Sequence, residues 1–131
     1  FIFVDRPDLL KKLSEAKEHG SAFLKDAALG IVVCGDETKS DVWIEDCSIA
    51  SIIVQLTAHS IGLGSCWIQI RNRHYSEKES AEDYIRKILH IPERYRVLSI
   101  ISIGYPAERK SPVSRDKLDF SKILYNDTGL S

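Results

Sequence analysis

Apolar and polar positions divide the chain into short extended runs and longer helical ones. Phe1-Ile2-Phe3-Val4 is apolar and β-prone, and Asp5-Arg6-Pro7-Asp8 turns it. Asp5 or Arg6 stands at a helix cap, and Pro7 at a first helical residue, where a missing N–H leaves nothing unpaired. Leu9, Leu10, Leu13 and Ala16 then share one face, with Lys11, Lys12, Glu15 and Lys17 outside. Gly20 is expected to end this helix, and residues 21–26 to form a short helical turn with Phe23 and Leu24 inward. Residues 29–34 are a continuous apolar run whose length and β-branched content predict a buried strand. Residues 35–40 read as a polar loop.

The longest pattern follows. Ser40 or Asp41 is the expected N-cap, and Glu45 and Asp46 suit the positive end of a helix dipole. From Val42 to Ile61 the apolar positions (Val42, Trp43, Ile44, Cys47, Ile49, Ala50, Ile52, Ile53, Val54, Leu56, Ala58, Ile61) make more than one stripe. Such a helix packs on its own core and on something else, and the expectation is a second subunit. Gly62-Leu63-Gly64-Ser65 stops it, and Cys66-Trp67-Ile68-Gln69-Ile70 is extended. Arg71-Asn72-Arg73-His74-Tyr75 is a basic loop. Ser76 with Glu79 matches a capping box, followed by a helix with Ala81, Tyr84, Ile85, Ile88 and Leu89 inward, closed by Pro92. Residues 95–103 form a strand apolar on both faces and so a central one. Beyond Gly104-Tyr105-Pro106 the tail is polar, with an apolar patch at Leu118, Phe120, Ile123, Leu124 and Tyr125 that needs a surface to rest on.

Composition adds limits. A chain of 131 residues, 44% hydrophobic and 28% charged, is expected to form one globular domain over residues 1–131. A net charge of -1 gives no pull toward nucleic acid or anionic membrane, and no run has the ~18 apolar residues of a membrane span. Three irregularly spaced cysteines point to a reducing, cytoplasmic compartment rather than a disulfide framework. With no Cys-x-x-Cys and scattered histidines, no metal site is expected. The chain holds no methionine and starts in a strand, so it is expected to lack its front.

Candidate chemistry is thin on pattern alone. Gly62 and Gly64 lie after a helix and before a strand, the reverse of the dinucleotide fingerprint. They read as a helix stop, while the N–H groups that follow, from Cys66 to Ile70, are candidates to face a ligand. Cys66 reads as a buried, inert thiol before a nucleophile, and His59 as a cation at a helix end. The Arg71–Arg73 loop and the cluster of Arg109, Lys110, Arg115 and Lys117 read either as solvated charge or as phosphate ligands.

The ordered set Trp43-Ile44-Glu45-Asp46-Cys47-Ser48-Ile49-Ala50, Ala58-His59-Ser60-Ile61-Gly62-Leu63-Gly64-Ser65-Cys66-Trp67-Ile68, Ile91-Pro92-Glu93 and Ile101-Ser102-Ile103-Gly104-Tyr105-Pro106-Ala107-Glu108 resembles the nitroreductase family of FMN-dependent oxidoreductases. So does Asp26-Ala27-Ala28 ahead of Ile31-Val32-Val33-Cys34. The resemblance implies an α+β fold with a central, mostly antiparallel sheet flanked by helices. It implies an intertwined homodimer with FMN at the subunit interface. It also implies ping-pong reduction of nitroaromatic, quinone or similar acceptors at the expense of NAD(P)H.

By position, the resemblance puts Trp67, Ile68 and Gln69 against the isoalloxazine ring, with a backbone N–H near Gln69 facing the flavin N5. Arg115 takes the basic position that holds the FMN phosphate, with Lys110 and Lys117 beside it. The tail, residues 107–131, is expected to lie across the partner. No catalytic dyad is needed, because the flavin carries the electron chemistry. The family's Arg-Ser-x-Arg-like and Asn-x-Gln-Pro-Trp-like segments belong ahead of Phe1, and Ile53 stands where the long helix often carries Asn. The alternative reading is a non-catalytic remnant of the fold acting as a binding or dimerisation module. Other flavin chemistry, such as reductive dehalogenation, is a weaker third.

Overall fold

The computed structural model describes residues 1–108 and 110–126. Four strands, β1 (Ile2–Val4), β2 (Leu29–Asp36), β3 (Gly64–Gln69) and β4 (Tyr95–Gly104), form one fully antiparallel sheet in the order β1-β2-β4-β3. Three helices, α1 (Pro7–Ser14), α2 (Trp43–Ser60) and α3 (Ala81–Leu89), cover its faces. The expected α+β architecture and the central place of the apolar strand β4 are both present.

Each face of the sheet has its own core. Leu10, Leu13, Val32, Ile68, Ile85 and Ile100 belong to the cluster under α1 and α3. Ile31, Val33, Trp43, Cys47, Leu98 and Ile101 belong to the one under α2. Alternation along β2 and β4 supplies both sides, with one interruption. Val33 pairs with Ser99 and Cys34 with Val97, which leaves Leu98 without an opposite residue. This bulge lets Leu98 and Ser99 both turn toward α2, where the Ser99 hydroxyl meets that of Ser51 at 3.0 Å.

Several boundaries differ from expectation. Helix α1 stops at Ser14, short of Gly20. The hydroxyls explain it: Ser14 Oγ donates to the Lys11 carbonyl at 2.6 Å, and the buried Ser21 Oγ donates to the freed Ser14 carbonyl at 2.8 Å. In the 3-10 turn Ala22–Asp26, Leu24 is buried while Phe23 stays exposed, because adjacent residues of a three-per-turn helix cannot share a face. The cap of α2 is Val42, and Ser40 instead donates to Asp46 Oδ2 at 2.8 Å. Helix α3 begins after Ser80, whose Oγ accepts the Asp83 N–H at 3.0 Å. The predicted cap Ser76 lies in a tight turn, its N–H and that of Tyr75 both donating to the Glu79 carbonyl.

The described tail carries two 3-10 turns, Arg115–Lys117 and Phe120–Lys122, and its side chains are exposed. Arg109 and the last part of the expected tail, residues 127–131, lie outside the described residues. No described helix is long and apolar enough to cross a membrane.

Candidate functional site

The end of α2 delivers the chain to an open sheet edge. Gly62 takes φ +81°, and its N–H donates to the His59 carbonyl at 3.0 Å while that of Leu63 donates to Ala58 at 2.9 Å. This is the paired-bond helix stop that glycine serves best. It folds Leu63 back onto the α2 core and starts β3 two residues after Gly62.

Among the described residues, strand β3 has one neighbour, β4. The Ile70 N–H donates to the Leu98 carbonyl at 3.1 Å, and Gln69 stands opposite Ser99. Antiparallel alternation then directs the N–H groups of Ile68 and Cys66 into the sheet and those of Gln69, Trp67 and Ser65 out along its open edge. Ile68 and Ile70 are buried under α1 and α3. Trp67 and Gln69 turn to the other face. There the indole N–H donates to Gln69 Oε1 at 3.0 Å, and Gln69 Nε2 donates to the Arg71 carbonyl at 2.9 Å. Beyond them α2 presents Ile49, Ile52, Ile53 and Leu56, 58%, 48%, 56% and 61% exposed, on the side away from its buried Trp43, Cys47, Ser51 and Ala58. The doubly apolar pattern of this helix is therefore two stripes, one on the core and one uncovered.

The other face of β3 opens on a cleft of about 690 Å³, lined among others by Phe23, Asp26, Cys66, Ser102 and Tyr105. Cys66, expected to be buried, is instead an exposed thiol there, because it points from an edge strand into the cleft, whereas burial pushes Cys34 up to about 11. His59 is exposed in the last turn of α2. The basic loop folds against α3: the Ala81 N–H donates to the Arg73 carbonyl at 2.9 Å, and Tyr75 stacks on Tyr84 with ring centroids 3.9 Å apart.

The cation candidates are not gathered with the strand. Lys110 pairs with Glu108 at 3.2 Å, Arg115 lies 6.0 Å over the Phe120 ring, and Lys117 is exposed. Among the described residues, no hydrogen bond or ion pair joins these three to Trp67, Ile68 or Gln69. A flat, polar-edged ring such as that of FMN fits the free N–H row and the amide-bearing face of β3. Among the described residues, Lys110, Arg115 and Lys117 do not gather into a phosphate grip beside β3. The Ser51–Ser99 pair and the Leu98 bulge, which set the register beside Gln69, had no sequence signal, since their partners are 48 residues apart or on another strand.

Residues 2–105 match the profile described as the Nitroreductase family. An FMN-dependent nitroreductase from Clostridium difficile superposes with a TM-score of 0.94 at 48% identity, over 96% of this chain and 73% of that one. A Methanothermobacter thermautotrophicus protein, provisionally named an NADH dehydrogenase/NAD(P)H nitroreductase, is 39% identical over 126 residues, 94% of this chain and 62% of its own length. One of the same provisional name from Archaeoglobus fulgidus is 39% identical over 114 residues, 84% of this chain and 62% of its own length. The chain thus spans about 62% of the length of the curated relatives it matches. With its profile, relatives and fold in agreement, the chain belongs to the nitroreductase family.

Proposed function

We propose that the protein is an FMN-dependent oxidoreductase that uses NAD(P)H to reduce nitroaromatic, quinone or similar acceptors, exchanging reductant and acceptor in turn at one site. The observation that carries this reading is the outward N–H of Gln69, the last of three donors (Ser65, Trp67, Gln69) left unpaired among the described residues on an edge strand backed by a rigid sheet. The descriptions of the C. difficile structure and of the archaeal relatives support the same chemistry. When bound, FMN would supply the two-electron chemistry that links oxidation of NAD(P)H to reduction of the acceptor.

The chain's own residues bind and orient. The Gln69 N–H would be the donor toward the flavin, and the backbone of Trp67 and Ile68 would hold its ring. Arg115, with Lys110 and Lys117, takes the phosphate, a guanidinium fork being suited to its oxygens. The uncovered stripe Ile49, Ile52, Ile53 and Leu56 is the homodimer contact, and the exposed apolar residues of the tail rest on the partner. Free Cys34, Cys47 and Cys66 accord with a reducing cytoplasm.

The test is the visible spectrum of the purified protein after incubation with FMN and removal of the excess, then NAD(P)H consumption with a quinone or nitroaromatic acceptor. Retained flavin and parallel double-reciprocal plots are expected. A protein that holds no FMN sinks the reading.

A further inference from the structure

Trp67 and Gln69 are two residues apart on β3 and share one of its faces. An indole N–H only donates, so its 3.0 Å bond commits the carboxamide oxygen of Gln69 and turns the amide nitrogen to the Arg71 carbonyl at 2.9 Å. The side-chain chain Trp67–Gln69–Arg71 thus spans the end of the strand. On the sheet side, the Leu98 carbonyl at the bulge accepts the N–H groups of both Ile70 and Arg71, at 3.1 and 3.0 Å. The indole itself is half-buried on the α2 core. The backbone N–H of Gln69 is held between these two anchors.

We infer that Trp67 is a positioning residue: through the Gln69 carboxamide it fixes the direction of the Gln69 backbone N–H. The inference rests on the flavin reading above and deepens it. Each polar end of the carboxamide already holds one bond, which keeps the side chain from swinging into the ligand's place, and the backbone N–H is the group directed out along the edge. Ile68, buried on the opposite face, contributes backbone only.

Two measurements on the whole protein test this. In the flavin-free protein, Gln69→Leu removes the acceptor, and the Trp67 indole N–H is expected to exchange with solvent about ten-fold faster. Unchanged exchange overturns the clamp. In FMN titrations, Trp67→Phe keeps an aromatic ring and deletes the donor. It and Gln69→Leu are each expected to weaken FMN about ten-fold, and the double variant no more than either, because one link is broken in all three. A product near a hundred-fold, or unchanged affinity, overturns the positioning role. Gln69→Glu serves if either variant fails to fold: its carboxylate still accepts from Trp67, so indole exchange is expected to stay as slow as in the wild type, and exchange about ten-fold faster overturns the clamp. Wild-type protein that takes no FMN overturns the flavin reading itself, and the exchange rate still judges the clamp.

Discussion

Arg96 on β4 holds Glu82 on α3 through two parallel bonds, Nε to Oε1 at 2.8 Å and Nη2 to Oε2 at 2.9 Å. Glu82 Oε1 also accepts the Val97 N–H at 2.8 Å, and the remaining arm of Arg96 reaches Glu37 at 2.9 Å. The bond to Glu82 raises the Arg96 pKa, so the guanidinium stays charged. Glu82 is nearly buried, Glu37 half-exposed. Arg96→Met leaves Glu82 buried without its cation and is expected to cost roughly 3 kcal/mol. Glu37→Gln is expected to cost under about 1 kcal/mol. Urea unfolding of both variants checks this, and equal losses would contradict it.

The uncovered stripe of α2 makes a separate prediction. Ile49, Ile52, Ile53 and Leu56 follow the i, i+3, i+4, i+7 spacing of one helix face. Ile53→Asp places a carboxylate in its middle and should shift sedimentation from dimer to monomer at micromolar concentration, with the monomer still folded by circular dichroism. A variant that sediments as the wild type does would remove this face from the interface.

Cys34 makes the alkaline limb of stability informative. Burial raises its thiol from 9.0 to about 11, so the thiolate is disfavoured in the fold and not in the unfolded chain. Its contribution is complete below pH 9.0 and is lost as the pH climbs toward 11, a swing of roughly 2 kcal/mol. Thermal melts at pH 8 to 11 should fall less steeply for Cys34→Ala than for wild type. Parallel curves would show that Cys34 does not carry the loss.

Two glycines separate crowding from backbone strain. A Cβ at Gly35 would stand 3.0 Å from Trp43 Cβ and 3.1 Å from Cys47 Sγ, where α2 presses on β2. A Cβ at Gly62 meets nothing within 4 Å, but φ there is +81°. Gly35→Ala is expected to destabilise by roughly 2 kcal/mol and Gly62→Ala by about 1 kcal/mol. Chemical denaturation ranks them, and the reverse order would mean that α2 yields easily.

The sequence made some of this legible and hid the rest for a physical reason. Periodicity and length found all four strands, because β2 and β4 are buried on both faces and so nearly all apolar. The surplus of apolar residues on α2 announced its second stripe. The ends of α1 and α3 depart from the pattern because the decisive partners are hydroxyls choosing among several nearby backbone groups: Ser21 rather than Gly20 closes α1, and Ser80 rather than Ser76 opens α3. The resemblance supplied Gln69, and the register shows which way its N–H points. Nothing local could report the bulge at Leu98, since it exists only when β4 pairs with β2.

That insertion sets the order of assembly. β2 and β3 are finished long before β4 emerges, yet neither β2's inner edge nor β3 has a partner without it. Until then β1 and β2 can pair, while β3 waits alone with α2's apolar stripes uncovered. The sheet therefore closes in one late, long-range step, a topology that folds slowly and leaves the incomplete chain prone to aggregate. Chains released before Tyr95 should be found with chaperones or in the pellet, whereas chains that reach Gly104 close the sheet.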